Sequence, residues 1–104
     1  MLASRMSHFI RAFVLAMVLV VAGCQSAPVQ EMSDARQAIT VAKKAGAEQY
    51  APGDFQAALD YLQSAQNFIG ERQYELARQD AVNAKASALD ALRISSEKTE
   101  ETDN

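Results

Sequence analysis

The pattern of apolar and polar positions divides the chain near residue 24. Residues 12–22 (AFVLAMVLVVA) are eleven consecutive apolar positions, and residues 1–11 before them carry Arg5 and Arg11 and no acid. Beyond residue 24 the run gives way to a period. Met32, Ala35, Ile39, Ala42 and Gly46 recur every three or four positions, as on one face of a helix. Pro28 suits a first turn, Glu31 and Asp34 complement the positive end of the helix dipole, and Lys43 and Lys44 the negative end. These signals predict a helix over about 29–49. Pro52 then drives Ala51 out of helical geometry and can itself open the next helix. Phe55, Ala58, Leu59, Leu62, Ala65, Phe68 and Ile69 predict a second helix over about 53–69, with Gly70 as the residue that ends it. Tyr74, Ala77, Ala81, Ala84, Ala88, Ala91 and Leu92 predict a third over about 71–95. No alternating β-branched run or hairpin dipeptide is present, so no sheet is expected. The expected fold class is all-α: a three-helix antiparallel bundle, or a helical hairpin plus one helix. Residues 96–104 contain no apolar residue and are expected to form a disordered, solvated tail.

The second and third helices repeat each other at an offset of nineteen. Phe55, Ala58, Leu62 and Ala65 align with Tyr74, Ala77, Ala81 and Ala84. An aromatic enters each helix, and small residues follow that let two helix axes approach closely. The pattern resembles one tetratricopeptide-like hairpin, with Tyr61, Ala65, Phe68, Tyr74, Ala77 and Ala84 at suitable positions. It departs from that repeat at Ala81, where an aromatic is usual, and in lacking a closing Pro. An Ala-rich hairpin of no particular family converges on the same spacing.

The first 24 residues read as an address. A basic start, a short apolar run and small residues before a cut are the parts of an export signal. A membrane span needs about 20 apolar residues, and this run has eleven. The stretch resembles a bacterial lipoprotein signal, with Val21, Ala22, Gly23 and Cys24 filling the lipobox and Val in place of the commoner Leu. The resemblance implies cleavage between Gly23 and Cys24, removal of residues 1–23, and acylation of Cys24. A chance cysteine after an ordinary signal is the bland alternative. Several acyl chains anchor stably where a single one binds marginally. Residues 24–28 then form the lipidated Cys and a short tether. Gln25, where an Asp would signal inner-membrane retention in enterobacteria, implies an outer-membrane destination and a periplasm-facing domain.

Recounting the chain from Cys24 changes its chemistry. Its 81 residues keep all 13 acids but only eight bases, a net charge of −5. They hold 16 Ala, no His, and no Cys other than Cys24. Ala favours helix but buries little area at each position. No metal site or disulfide framework is expected from these residues, and no cofactor. Without a His, no Ser or Cys can be activated in the manner of a hydrolase triad. An acidic chain with no basic stripe excludes nucleic acid as a partner. The carboxylates alternate with bases on polar faces, with no pocket to tune them for acid–base work. An enzyme is not expected.

Asp34-Ala35-Arg36, Ala38-Ile39, the run Ala45-Gly46-Ala47-Glu48-Gln49-Tyr50-Ala51-Pro52, Phe55, Ala58, Leu62, Ala65, Tyr74 and Ala77-Arg78 together resemble a domain-of-unknown-function family of small helical envelope lipoproteins. The resemblance spans roughly residues 30–95. In other proteins that domain often precedes an OmpA-like peptidoglycan-binding domain. The sequence contains no such domain, so peptidoglycan binding is not implied for it.

Four side chains are candidates for holding a partner: Tyr50 and Tyr61, which a small hairpin need not bury, and Arg36 and Arg78, which fall within the family-like motifs. Surface ion pairing is the plain alternative for the arginines. The expected function is a lipid-anchored helical interaction or scaffold module of the bacterial cell envelope. Its expected partners are the membrane, through Cys24, and another envelope protein. The rival is a structural lipoprotein that oligomerises as a coiled coil. Pro52-Gly53 and Gly70 stand against one long helix.

Overall fold

Alanine decides how the helices of this chain meet. The computed structural model describes residues 2–22 and 26–103. Among the described residues five helices follow one another: α1 (Leu2–Ala22), α2 (Val29–Lys44), α3 (Ala47–Tyr50), α4 (Pro52–Gly70) and α5 (Tyr74–Asp103). No strand occurs among the described residues, and the fold is all-α. Among the described residues, helix α1 packs against none of the others. Among the described residues, no helix is long and apolar enough to cross a membrane.

Helices α2, α4 and α5 form an up-down-up bundle whose layers fix its register. Met32, Ala65 and Ala81 meet at one end, which we call the base, with Leu62 and Ile69 against them. Ala38, Ala58 and Ala88 meet in the middle, beside Ile39. Ala42, Phe55 and Ala91 meet at the tip, together with Ala47 and Ala51. Residue numbers therefore rise from base to tip in α2 and α5 and fall in α4, so α4 is antiparallel to both. Helix α5 is the shared element: Ala77, Ala81, Ala84, Ala88, Ala91 and Ser95 are all fully buried, at alternating spacings of four and three. A seam of methyl groups lets α2 and α4 lie close to the α5 backbone, and close packing substitutes for large side chains. The buried Ser95 hydroxyl donates to the Ala91 carbonyl at 2.7 Å, so it carries no unsatisfied group into the core.

The helix boundaries correct the sequence reading at three places. The first predicted helix, 29–49, divides at Gly46, whose φ of +88° is left-handed and needs a residue without Cβ. The Gly46 N–H donates to the Lys43 carbonyl, closing α2, and its own carbonyl accepts from Gln49 and Tyr50, opening α3. Gly46 thus turns the chain rather than lying on an apolar stripe. The end of the second helix is displaced too. Gly70 is the last residue of α4, and the left-handed position falls on Arg72, φ +62°, so α5 begins at Tyr74 instead of residue 71.

The third correction is the tail. Residues 96–103 continue α5 as helix, although every one of them is exposed. No Gly or Pro interrupts the chain after Gly70, and an established helix adds residues at little cost. Ser96, Thr99 and Thr102 donate their hydroxyls to the carbonyls of Leu92, Ser95 and Lys98, which removes them as competitors for other backbone groups. Arg93–Glu97 and Lys98–Glu101 pair along the surface.

Candidate functional site

The base of the bundle gathers polar groups from three segments around one arginine. Arg78 lies in the first turns of α5, one turn before Ala81, and Glu31 lies beside Met32 on α2. The layer that joins Met32 to Ala81 therefore brings these two side chains together. The Arg78 Nε lies 3.3 Å from Glu31 Oε1, and its Nη1 lies 3.0 Å from Glu75 Oε2. Its Nη2 donates to the Ser26 carbonyl at 3.4 Å, which ties the segment before α2 to α5. Two turns further along α5, Lys85 lies 4.0 Å from Asp34, which is one turn further along α2 than Glu31. Arg78 and Glu31 are each about one-third exposed, so each pair alone contributes at most about 1 kcal/mol. The planar guanidinium gains by holding three acceptors in one geometry.

The residues between Ser26 and α2 are seated, not trailing. Pro28 is fully buried, the Val29 N–H donates to the Ala27 carbonyl at 2.8 Å, and the Met32 N–H to the Pro28 carbonyl at 3.0 Å. Beside them a cleft of about 300 Å³ opens between α2 and α4. It is lined by Ala27, Val29, Met32, Arg36, Gln66 and Ile69. Its walls are chiefly apolar, with the Arg36 side chain as its one charge.

A second cleft, about 410 Å³, lies between α4 and α5 and is lined by Ala57, Asp60, Tyr61, Ser64 and Asp80. The Ser64 hydroxyl donates to Asp80, and Gln56 donates to Asp60, so both carboxylates already have partners. Among the described residues, no three His, Cys, Asp or Glu side chains come together as metal ligands do.

The four candidate partner residues do not form one site. Arg36 and Arg78 flank α2 near the base, the first on the α4 side in the cleft, the second on the α5 side among carboxylates. Tyr61 is 38% exposed at the second cleft. Tyr50 is half-buried in α3, with its ring 3.1 Å from where a Cβ on Gly46 would stand. Of the two Phe in the bundle, Phe55 is buried and Phe68 only half-buried. Val21 and Ala22 end α1, while Gly23 and Cys24 lie outside the described residues. Reading the sequence missed Ser26, Glu31 and Ile69 as parts of the base. The signal was available in the register: once Met32 is set opposite Ala81, Glu31 falls next to Arg78.

No curated protein and no solved structure matches the chain. A family model does. It matches residues 30–103, a stretch that runs from the first turn of α2 through the exposed end of α5 and takes in the whole bundle. The chain belongs to the DUF4398 family, a domain of unknown function.

Proposed function

We propose that this chain is a lipid-anchored helical interaction module of the bacterial cell envelope, facing the periplasm, with the outer membrane as its membrane. The observation that carries the reading is the lipobox Val21-Ala22-Gly23-Cys24 at the end of a short apolar run. Two structural facts support it. Among the described residues helix α1 makes no contact with the bundle, so its removal would cost those residues no packing. The bundle begins at a buried Pro28, four residues after Cys24, so an anchor there would hold a folded domain on a short tether. The role is one of binding: the bundle offers partly exposed faces and clefts, and the carboxylates at its base and second cleft, Glu31, Asp34, Asp60 and Asp80, each have a side-chain partner.

Growth with labelled palmitate tests the anchor. Wild-type protein takes up label and loses the mass of residues 1–23, and Cys24→Ser does neither. An unlabelled, unprocessed wild type overturns the reading. For the partner, a photo-crosslinker at Tyr61 in intact cells yields one reproducible envelope protein if the module binds through that cleft.

One observation favours a second reading, the structural oligomer. Val82, Ala86 and Leu89 are exposed on α5 at spacings of four and three, as in a coiled-coil seam. Light scattering on the detergent-free domain decides it, because a monomer mass removes that reading.

A further inference from the structure

The seating of Ser26 on Arg78 has a geometric consequence for a protein anchored at Cys24. Three residues, Cys24 to Ser26, separate the acylated atoms from the Ser26 carbonyl, and three residues of fully extended chain reach about 10 Å. The acyl chains would therefore leave the lipid surface within about that distance of the Ser26 carbonyl, which Arg78 holds. Everything near that point belongs to one end of the bundle: Val29 and Ile69, the cleft between them, and the turn that joins α4 to α5. The other end is remote. Sixteen residues of α2 span about 24 Å, which separates the base from α3. The last turn of α5 lies 25 residues beyond Arg78, or about 37 Å.

We propose that the base of the bundle is a phospholipid-docking surface, and that Arg78 is the positioning residue that turns it toward the membrane. The proposal rests on the lipid anchor argued above. Val29 is 75% exposed at the first position of α2, an apolar side chain at the end where the anchor attaches. The adjoining cleft has Met32 and Ile69 in its walls and Arg36 in its lining. Apolar walls beside a guanidinium match the acyl–headgroup boundary of a phospholipid, where aliphatic stems bury and cations stay at the polar level. The bundle then stands end-on at the surface. Helix α5 becomes a strut that carries α3, the tip and the exposed residues 96–103 away from the lipid.

The chain has no Trp, so single Trp reporters can read the orientation in full-length lipidated protein. Gln66→Trp reports from the base and Lys44→Trp from the tip of α2. Each is reconstituted in phosphatidylcholine–phosphatidylglycerol vesicles with brominated acyl chains. The expected result is loss of Gln66→Trp fluorescence with none at Lys44→Trp. Adding Arg78→Ala to the Gln66→Trp protein weakens that loss, because Ser26 is then released and the tether is held only from Pro28. Arg78→Lys, which keeps the charge but cannot hold Ser26, Glu31 and Glu75 together, gives the same result should Arg78→Ala unfold. Equal quenching at both ends, or none at the base, overturns the orientation while vesicle binding and palmitate on Cys24 leave the anchor standing. Quenching at the base that is undiminished in both Arg78 variants in folded protein overturns the role of Arg78. Absence of both palmitate and vesicle binding overturns anchor and orientation together.

Discussion

Helix α5 is one continuous helix made for two different reasons. From Ala77 to Ser95 it is held by what lies against it: six buried positions at spacings of four and three face α2 and α4. From Ser96 to Asp103 nothing lies against it and every residue is exposed. There the helix is held by its own chain, through the backbone ladder that continues from the packed turns and ion pairs along the surface. The first stretch is helical because the fold requires it. The second is helical because the first has already met the cost of nucleation and nothing stops it. The difference teaches that the absence of apolar residues predicts exposure, not the end of a helix.

The sharpest way to break the comparison is to place the same residue in both stretches. Ala84→Pro removes a backbone hydrogen bond, clashes with the preceding turn and fills a position that is fully buried. A helix-interior Pro costs about 3 kcal/mol or more. A single core of fewer than 80 residues supplies roughly 3–5 kcal/mol in total. The domain is therefore expected to be unfolded at 25 °C, seen as loss of helical circular dichroism and of a cooperative melt. A native-like melt would mean that the Ala seam does not hold the bundle together.

The next effect in size comes from bulk alone. Ala88 is fully buried against Ala38 and Ala58 in the middle layer. Ala88→Leu should destabilise by about 1–3 kcal/mol, the usual penalty of overpacking a filled core. Ser96→Leu, on the exposed stretch, should leave the urea midpoint where it is. Equal midpoints for the two variants would show that the middle layer has room to spare.

Gly46 sharpens where the buried stretch stops. Its left-handed turn sets α3 across the tip, and Ala47 and Ala51 join Ala91 there. An L-residue in that conformation costs roughly 1–2 kcal/mol, and the added Cβ would stand 3.1 Å from the Tyr50 ring. Gly46→Ala is expected to lower stability by about that amount and to speed hydrogen exchange at the tip before the base. Uniform acceleration through the whole bundle would mean that α3 is not a separate cover.

The seam was legible in the sequence and the turns were not, for a physical reason. The nineteen-residue repeat pairs Ala58, Ala65, Ala77, Ala81 and Ala84, and all five are fully buried. Buried positions must recur at helical spacing, so period alone reveals them. Gly46 fell on that same period, yet its role depends on a φ angle that the spacing does not carry. Gly70 looked like the residue after a helix, but the left-handed position passed to Arg72 two residues later. The base of the bundle was half legible. Arg78 stood out within a motif, while Ser26 and Glu31 gained meaning only once the register set them against it.

The smallest expected effect is the most discriminating. Thr99→Pro makes in the exposed stretch the change that Ala84→Pro makes in the buried one. It deletes the backbone donor of residue 99, crowds the Ser95 carbonyl and biases Lys98 away from helix. It also removes the hydroxyl that donates to Ser95 at 2.8 Å. If the chain beyond Ser95 is helical only by propagation, the damage stays local. The melting temperature should be unchanged, helical circular dichroism should fall by no more than the contribution of the last turns, and amide exchange should accelerate only beyond about residue 95. The buried Ser95 lies at the border, so its own amide is the one to watch. Protection that persists there places the end of the packed helix at Ser95. Protection lost back to Ala91, with a falling melting temperature, would mean that the exposed turns support the seam and that the two stretches of α5 form one cooperative unit.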